Sequence, residues 1–132
     1  MKTLKTLTLV FAVTLLLCAT ASAAGMDELK HSTPMLRAKL QTALMKKRLG
    51  LTPRQVPRVM DINLKYAEQM EPVIKGNGGK LMKMRQARQI GKAKDGELTK
   101  VLTPGQFQTY LASREQMRQQ MIDKIMEKRR HG

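Results

Sequence analysis

The chain is 132 residues long and carries 25 lysines and arginines against 10 acidic residues, a formal net charge of +15. Cys18 is its only cysteine, and histidine occurs only as His31 and His131. That inventory excludes an intramolecular disulfide and a thiolate metal cluster, and it makes nucleophilic or acid–base catalytic constellations hard to assemble. The length admits one small domain.

The first segment reads as an address. Lys2 and Lys5 precede a mostly apolar run from Leu7 to Leu17, and Ala21-Ser22-Ala23 follows as a small-residue cleavage site. This order of basic, apolar and small residues is that of a secretory signal peptide. The apolar run falls short of the roughly 20 residues that span a bilayer. Leu17 stands where a lipid-attachment site requires a small residue, so Cys18 is read as part of the discarded segment. Residues 1–23 are therefore expected to be removed, leaving a single all-helical domain over 24–132 in the periplasm of a Gram-negative cell. There the partners of a basic protein are acidic proteins, anionic lipid or lipopolysaccharide, and not nucleic acid.

The spacing of apolar residues in the remaining chain is helical throughout. Thr33-Pro34 opens the first predicted helix as cap and first position, with Leu36, Leu40 and Leu44 on one face and Ala43 beside them. Lys46, Lys47 and Arg48 suit the dipole of its last turn, and Gly50 ends it. A second helix from Pro53 carries Val56, Val59, Met60, Asn63, Ala67, Met70, Val73 and Ile74 as its stripe. Within it, Pro57 removes one backbone bond, and Pro72 is expected to kink or end the helix near Glu71. "GNGG" at 76–79 is a link. A third helix spans about 80–94, with Leu81, Met84, Ala87 and Ile90 on one side, and Asp95-Gly96 is expected to break it. The last runs from Pro104 to about Arg129, with Phe107, Tyr110, Leu111, Met117, Met121 and Ile125 facing inward and Arg114 snorkelling out of that stripe. Four helices joined by short links define an all-α hairpin or open bundle.

One phrase is written twice: "LTPRQ" at 51–55 and "LTPGQ" at 102–106. Each copy is a helix start, with Thr52 or Thr103 as cap, proline at the first position and Gln55 or Gln106 at the third. The hydroxyl accepts the amide hydrogen of the glutamine, and the glutamine side chain returns to the threonine amide, which is a capping box. Leu51 with Val56, and Leu102 with Phe107, add two hydrophobic staples.

The repeated L-T-x-x-Q of Leu51, Thr52, Gln55 and Leu102, Thr103, Gln106, in a short exported chain rich in Met, Arg, Lys and Gln, resembles the Spy/CpxP group of periplasmic proteins. The resemblance covers roughly Leu36 to Met126. It implies a thin, cradle-like antiparallel dimer whose concave side, basic and patched with apolar groups, holds unfolded clients without ATP. It also implies a link to the envelope stress response and, for CpxP-like members, an accessory role on the periplasmic domain of a membrane sensor kinase. Pro57 and Pro72 depart from the long uninterrupted helix of that group.

The residues support a holdase on their own account. Methionine surfaces accept many apolar shapes, and positive charge speeds encounter with acidic, partly unfolded chains. The expected client-binding residues are Met82, Met84, Arg85 and Arg88 with Lys46, Lys47 and Arg48; buried methionine beside solvated charge is the bland alternative. No enzymatic activity, cofactor or metal is expected. "GNGGK" lacks the strand and the Ser/Thr of a phosphate-binding loop, and Met82, Met84, Met117 and Met121 as thioether ligands of Cu(I) are explained more simply by packing. The regulatory accessory role and a basic helix lying on anionic membrane are the competing readings.

Overall fold

The computed structural model describes residues 27–132; the segment 1–23 expected to be a signal peptide, with Cys18, lies outside the described residues. After one helical turn at 27–30 come α1 (Pro34–Leu49), α2 (Gln55–Lys75), α3 (Lys80–Leu98) and α4 (Pro104–His131). The protein is all-α, and no strand occurs among the described residues.

Helix α1 starts as its sequence dictates. Thr33 Oγ1 accepts from the Leu36 amide at 3.1 Å, and Pro34 takes the first turn. It stops at Gly50, whose φ of 63° lies in the left-handed region and lets its N–H reach the Lys46 carbonyl. A side chain there would meet no obstacle, so the requirement for glycine is one of backbone conformation alone.

The face that α1 buries is rotated from the expected one. Ala38, Thr42, Met45 and Leu49 are buried with Leu44, whereas Ala43 is exposed and Leu36 and Leu40 are only half-buried. Leucine spacing alone located the helix but misplaced the centre of its inner face. Arg37 is buried too. Its guanidinium donates to the carbonyls of Leu29, Ser32 and Ala67 at 3.1, 2.8 and 3.3 Å and pairs with Glu71. Lys75 approaches the same carboxylate at 2.6 Å. Burial raises the Glu71 pKa, but the hydrogen bonds from Lys75 and Arg37 outweigh it and hold the carboxyl below its ordinary range.

Neither of two expected stops ends its helix. Helix α2 continues past Pro72 to Lys75, because the proline lies in the last turn, where only one backbone bond is lost before Gly76 closes the helix on the Pro72 carbonyl at 2.8 Å. Helix α3 runs through Asp95-Gly96 to Leu98. Its end is held by Lys65 on Glu97 at 2.5 Å, by Arg114 on Asp95 at 3.1 Å and by the complete burial of Leu98. Tertiary contacts override the glycine.

Helices α1 and α3 end, and α2 and α4 begin, at one apex of the molecule. Arg37 to Glu71 places the start of α1 beside the end of α2, and Arg129 to Glu28 places the end of α4 beside the start of the described chain. The packed pairs are α1 with α2, α1 with α4, and α2 with α3. The core between them is built from Met45, Val59, Ile74, Met117, Ile122 and Ile125. Helices α3 and α4 share few close backbone approaches. The result is an up–down bundle with one side open.

Candidate functional site

The twin phrase builds the apex. Thr52 Oγ1 accepts from the Gln55 amide at 3.2 Å and Gln55 Oε1 from the Thr52 amide at 3.0 Å. Thr103 and Gln106 repeat both bonds at 3.2 and 3.0 Å. In the first copy residues 53–54 form a tight turn, so regular helix begins at Gln55 and not at Pro53, although the box is complete. Leu51 and Leu102 are both buried, with Val56 and Phe107 packed against the same core.

The two boxes also hold each other. Gln55 Nε2 donates to Gln106 Oε1 at 2.7 Å, and Gln106 Nε2 donates to Gln55 Oε1 at 3.0 Å. The second hydrogen of each amide crosses to the opposite loop, from Gln55 to the Val101 carbonyl at 3.0 Å and from Gln106 to the Leu49 carbonyl at 3.3 Å. The arrangement is a local pseudo-twofold. It relates α1–α2 to α3–α4, and it relates the packed pair α1–α4 to the packed pair α2–α3. These six motif residues are thus joiners of helices.

The pseudo-symmetry is broken on one side. Its counterpart to the closed α1–α2 interface is the open α3–α4 side, which holds a cleft of about 320 Å³. Of its lining, Tyr66, Ile74, Tyr110, Met117 and Met121 are buried and form its depth with Met70, and the more accessible Ile90, Gly91, Lys94, Asp95 and Arg114 form its mouth. Burial, and then the neighbouring Asp95, push the Tyr110 phenol upward. Lys94 keeps part of its surface exposed, yet loss of hydration among these walls pushes its ammonium down to about 8, against the opposing pull of Asp95.

The first half of α3 stands outside this core. Leu81, Met82 and Met84 are 63%, 59% and 45% exposed, and Arg85 and Arg88 are exposed beside them. Leu81, Met84, Arg85 and Arg88 fall on one helical stripe. Of the predicted side Leu81, Met84, Ala87 and Ile90, the first two are exposed and the last two half-buried, and the buried residue of α3 is Leu98, at its far end. Gly79 offers no side-chain cap, and no acidic residue occupies the first turn. Little local chemistry therefore holds this half in place beyond Lys83 Nζ reaching the Ile74 carbonyl at 3.4 Å.

Lys46, Lys47 and Arg48 are exposed, but they sit at the apex end of α1. The start of α3 lies beside the opposite end of α2, which is 21 residues long and so about 30 Å in length. The two basic groups do not form one surface. Lys47 and Arg48 instead line a shallow groove with Gln120, Asp123 and Lys124, and Arg48 donates to Gln116 at 2.7 Å. Met117 and Met121 are core residues. Among the described residues no cluster of three His, Cys, Asp or Glu side chains is arranged to hold a metal ion, and no helix is long and apolar enough to cross a membrane.

Sequence reasoning missed Arg37, the Gln55–Gln106 pair and the cleft with Lys94. Arg37 alone left a local hint, since a cation in the first turn of a helix opposes the dipole and implies a tertiary partner. The other two arise from pairing between hairpins, for which helical periodicity carries no signal.

Fold and site together define a helical scaffold of two motif-linked hairpins, closed on three sides and open on the fourth. A family model described as Domain of unknown function (DUF4890) matches residues 22–110, more than half of the chain, and the chain belongs to that family. No curated protein and no solved structure matches it at a significant level.

Proposed function

We propose that the protein is an ATP-independent periplasmic holdase that offers the first half of α3 to unfolded or misfolded envelope proteins. The observation that carries this reading is the exposure of Leu81, Met82 and Met84 next to Arg85 and Arg88 on a helix whose buried residue, Leu98, lies at its far end. Large apolar side chains exposed together on a small protein point to an interaction surface. Unbranched thioether side chains adapt to clients of differing shape, and the arginines attract acidic chains. The likeness of the twin L-T-x-x-Q phrase to the Spy/CpxP group, and the signal-like first segment, point the same way.

Light scattering of an acidic, unrelated client during thermal or dilution-induced unfolding tests the reading. Equimolar protein is expected to suppress aggregation. The triple variant L81S/M82S/M84S is expected to lose most of that effect at unchanged helicity, since exposed positions tolerate substitution within about 0.5 kcal/mol. Absence of suppression at severalfold excess of the unaltered protein, or full suppression by the triple variant, overturns it.

A further inference from the structure

The cleft on the open α3–α4 side plays no part in the surface just described, and its chemistry is different. At about 320 Å³ it lies near the lower limit of small-molecule sites, roughly 300–1,000 Å³, which is too small for a two-chain lipid. Its depth is apolar and rich in methionine, which yields to a flexible guest. Three of the four cations at its walls are matched: Arg37 by Glu71, Arg114 by Asp95 and Arg118 by Glu115. Lys94 makes no ion pair with any described residue. Gly91, one helical turn before it on the same side of α3, contributes no side chain, and a Cβ there would meet nothing within 4 Å.

We infer that this cleft binds a single-chain carboxylate amphiphile of the medium-chain fatty acid class, its head on Lys94 and its tail among Tyr66, Met70, Met117 and Met121. One unmatched ammonium at the mouth of an apolar cleft calls for one negative charge followed by hydrocarbon. A bound carboxylate restores the partner that the protein withholds, where the surroundings otherwise push the ammonium toward its neutral form. The gap at Gly91 gives the chain its entry beside the head group. This inference rests on the cleft alone, so it and the holdase reading can fail independently.

Calorimetric titration of the purified protein with hexanoate, octanoate, decanoate and decanol, all below micelle formation, tests it. One molecule of decanoate per chain is expected, with affinity rising about fourfold for each added methylene. K94M is expected to weaken decanoate at least tenfold while leaving decanol unchanged, and K92M, at an exposed lysine on the same helix, to leave both unchanged. G91L fills the gap with a better helix former, so it is expected to keep the fold and abolish binding of both ligands. Affinity independent of chain length, many ligands per chain, an effect of K92M equal to that of K94M, or wild-type binding by G91L overturns the assignment, as does capture of an acidic peptide with no binding of decanoate.

Discussion

Gln55 and Gln106 each have two amide hydrogens and an oxygen with two acceptor positions, and the apex uses them all: own threonine, partner glutamine and a carbonyl of the opposite loop. A pair so connected is non-additive. In a double-mutant cycle with Q55A and Q106A, followed by chemical denaturation, a coupling energy of about 1–2 kcal/mol is expected, within the range for residues of one network; a value near zero contradicts mutual support. Q55E removes both donors and sets a carboxylate against the partner's oxygen, so it is expected to cost more than Q55A. The capping boxes were legible because threonine and glutamine lie three residues apart, within one turn. The bond between the boxes was not, because it depends on two loops meeting far apart in the sequence. Arg37 was likewise illegible as a buried hub: the carbonyls of Leu29, Ser32 and Ala67 that satisfy it belong to backbone whose position only the fold supplies.

Helix α3 shows where local rules give way to packing. Asp95-Gly96 has the composition of a break, yet the helix passes through it because Glu97, Asp95 and Leu98 are all tied to neighbouring helices. Gly96 is exposed, has no positive φ and leaves open space where a Cβ would stand. G96A is therefore expected to stabilise the protein by about 0.5–1 kcal/mol in thermal or chemical unfolding; destabilisation would show that the helix does not continue through this position. The first half of the same helix has the opposite character. Its apolar residues repeat at helical spacing, so periodicity correctly predicted a helix, yet Leu81 and Met84 on that side are exposed. Periodicity records that one face differs from the other, without saying whether a partner within the chain covers it. Pro72 illustrates a third limit: proline ends a helix in mid-span, but a few residues from an existing terminus its cost is one bond.

At the scale of the molecule, the repeated phrase converts two similar hairpins into a pseudo-symmetric bundle, and the departures from that symmetry are the parts open to other molecules. The α1–α2 interface is closed over Met45, Val59 and Ile74; its α3–α4 counterpart is a cleft, and the free half of α3 extends beside it. All-α character, four helices, their order and the two helix starts were legible in the sequence, since each follows from local spacing and caps. Which side stays open was not, because it is decided by how four amphipathic faces share one core. The gathering of Met82, Met84, Arg85 and Arg88 on one exposed segment follows from their nearness in sequence, while their separation from Lys46, Lys47 and Arg48 required the antiparallel arrangement of α1, α2 and α3.

If clients bind the free half of α3, its backbone amides are shielded when a client is present. Hydrogen exchange of the protein with and without an equimolar unfolded client, read by mass spectrometry, tests it most directly. Client-dependent protection is expected for peptides covering 80–90, with the apex peptides around Thr52 and Thr103 unchanged. Protection confined to other segments, with residues 80–90 exchanging equally in both samples, would contradict it.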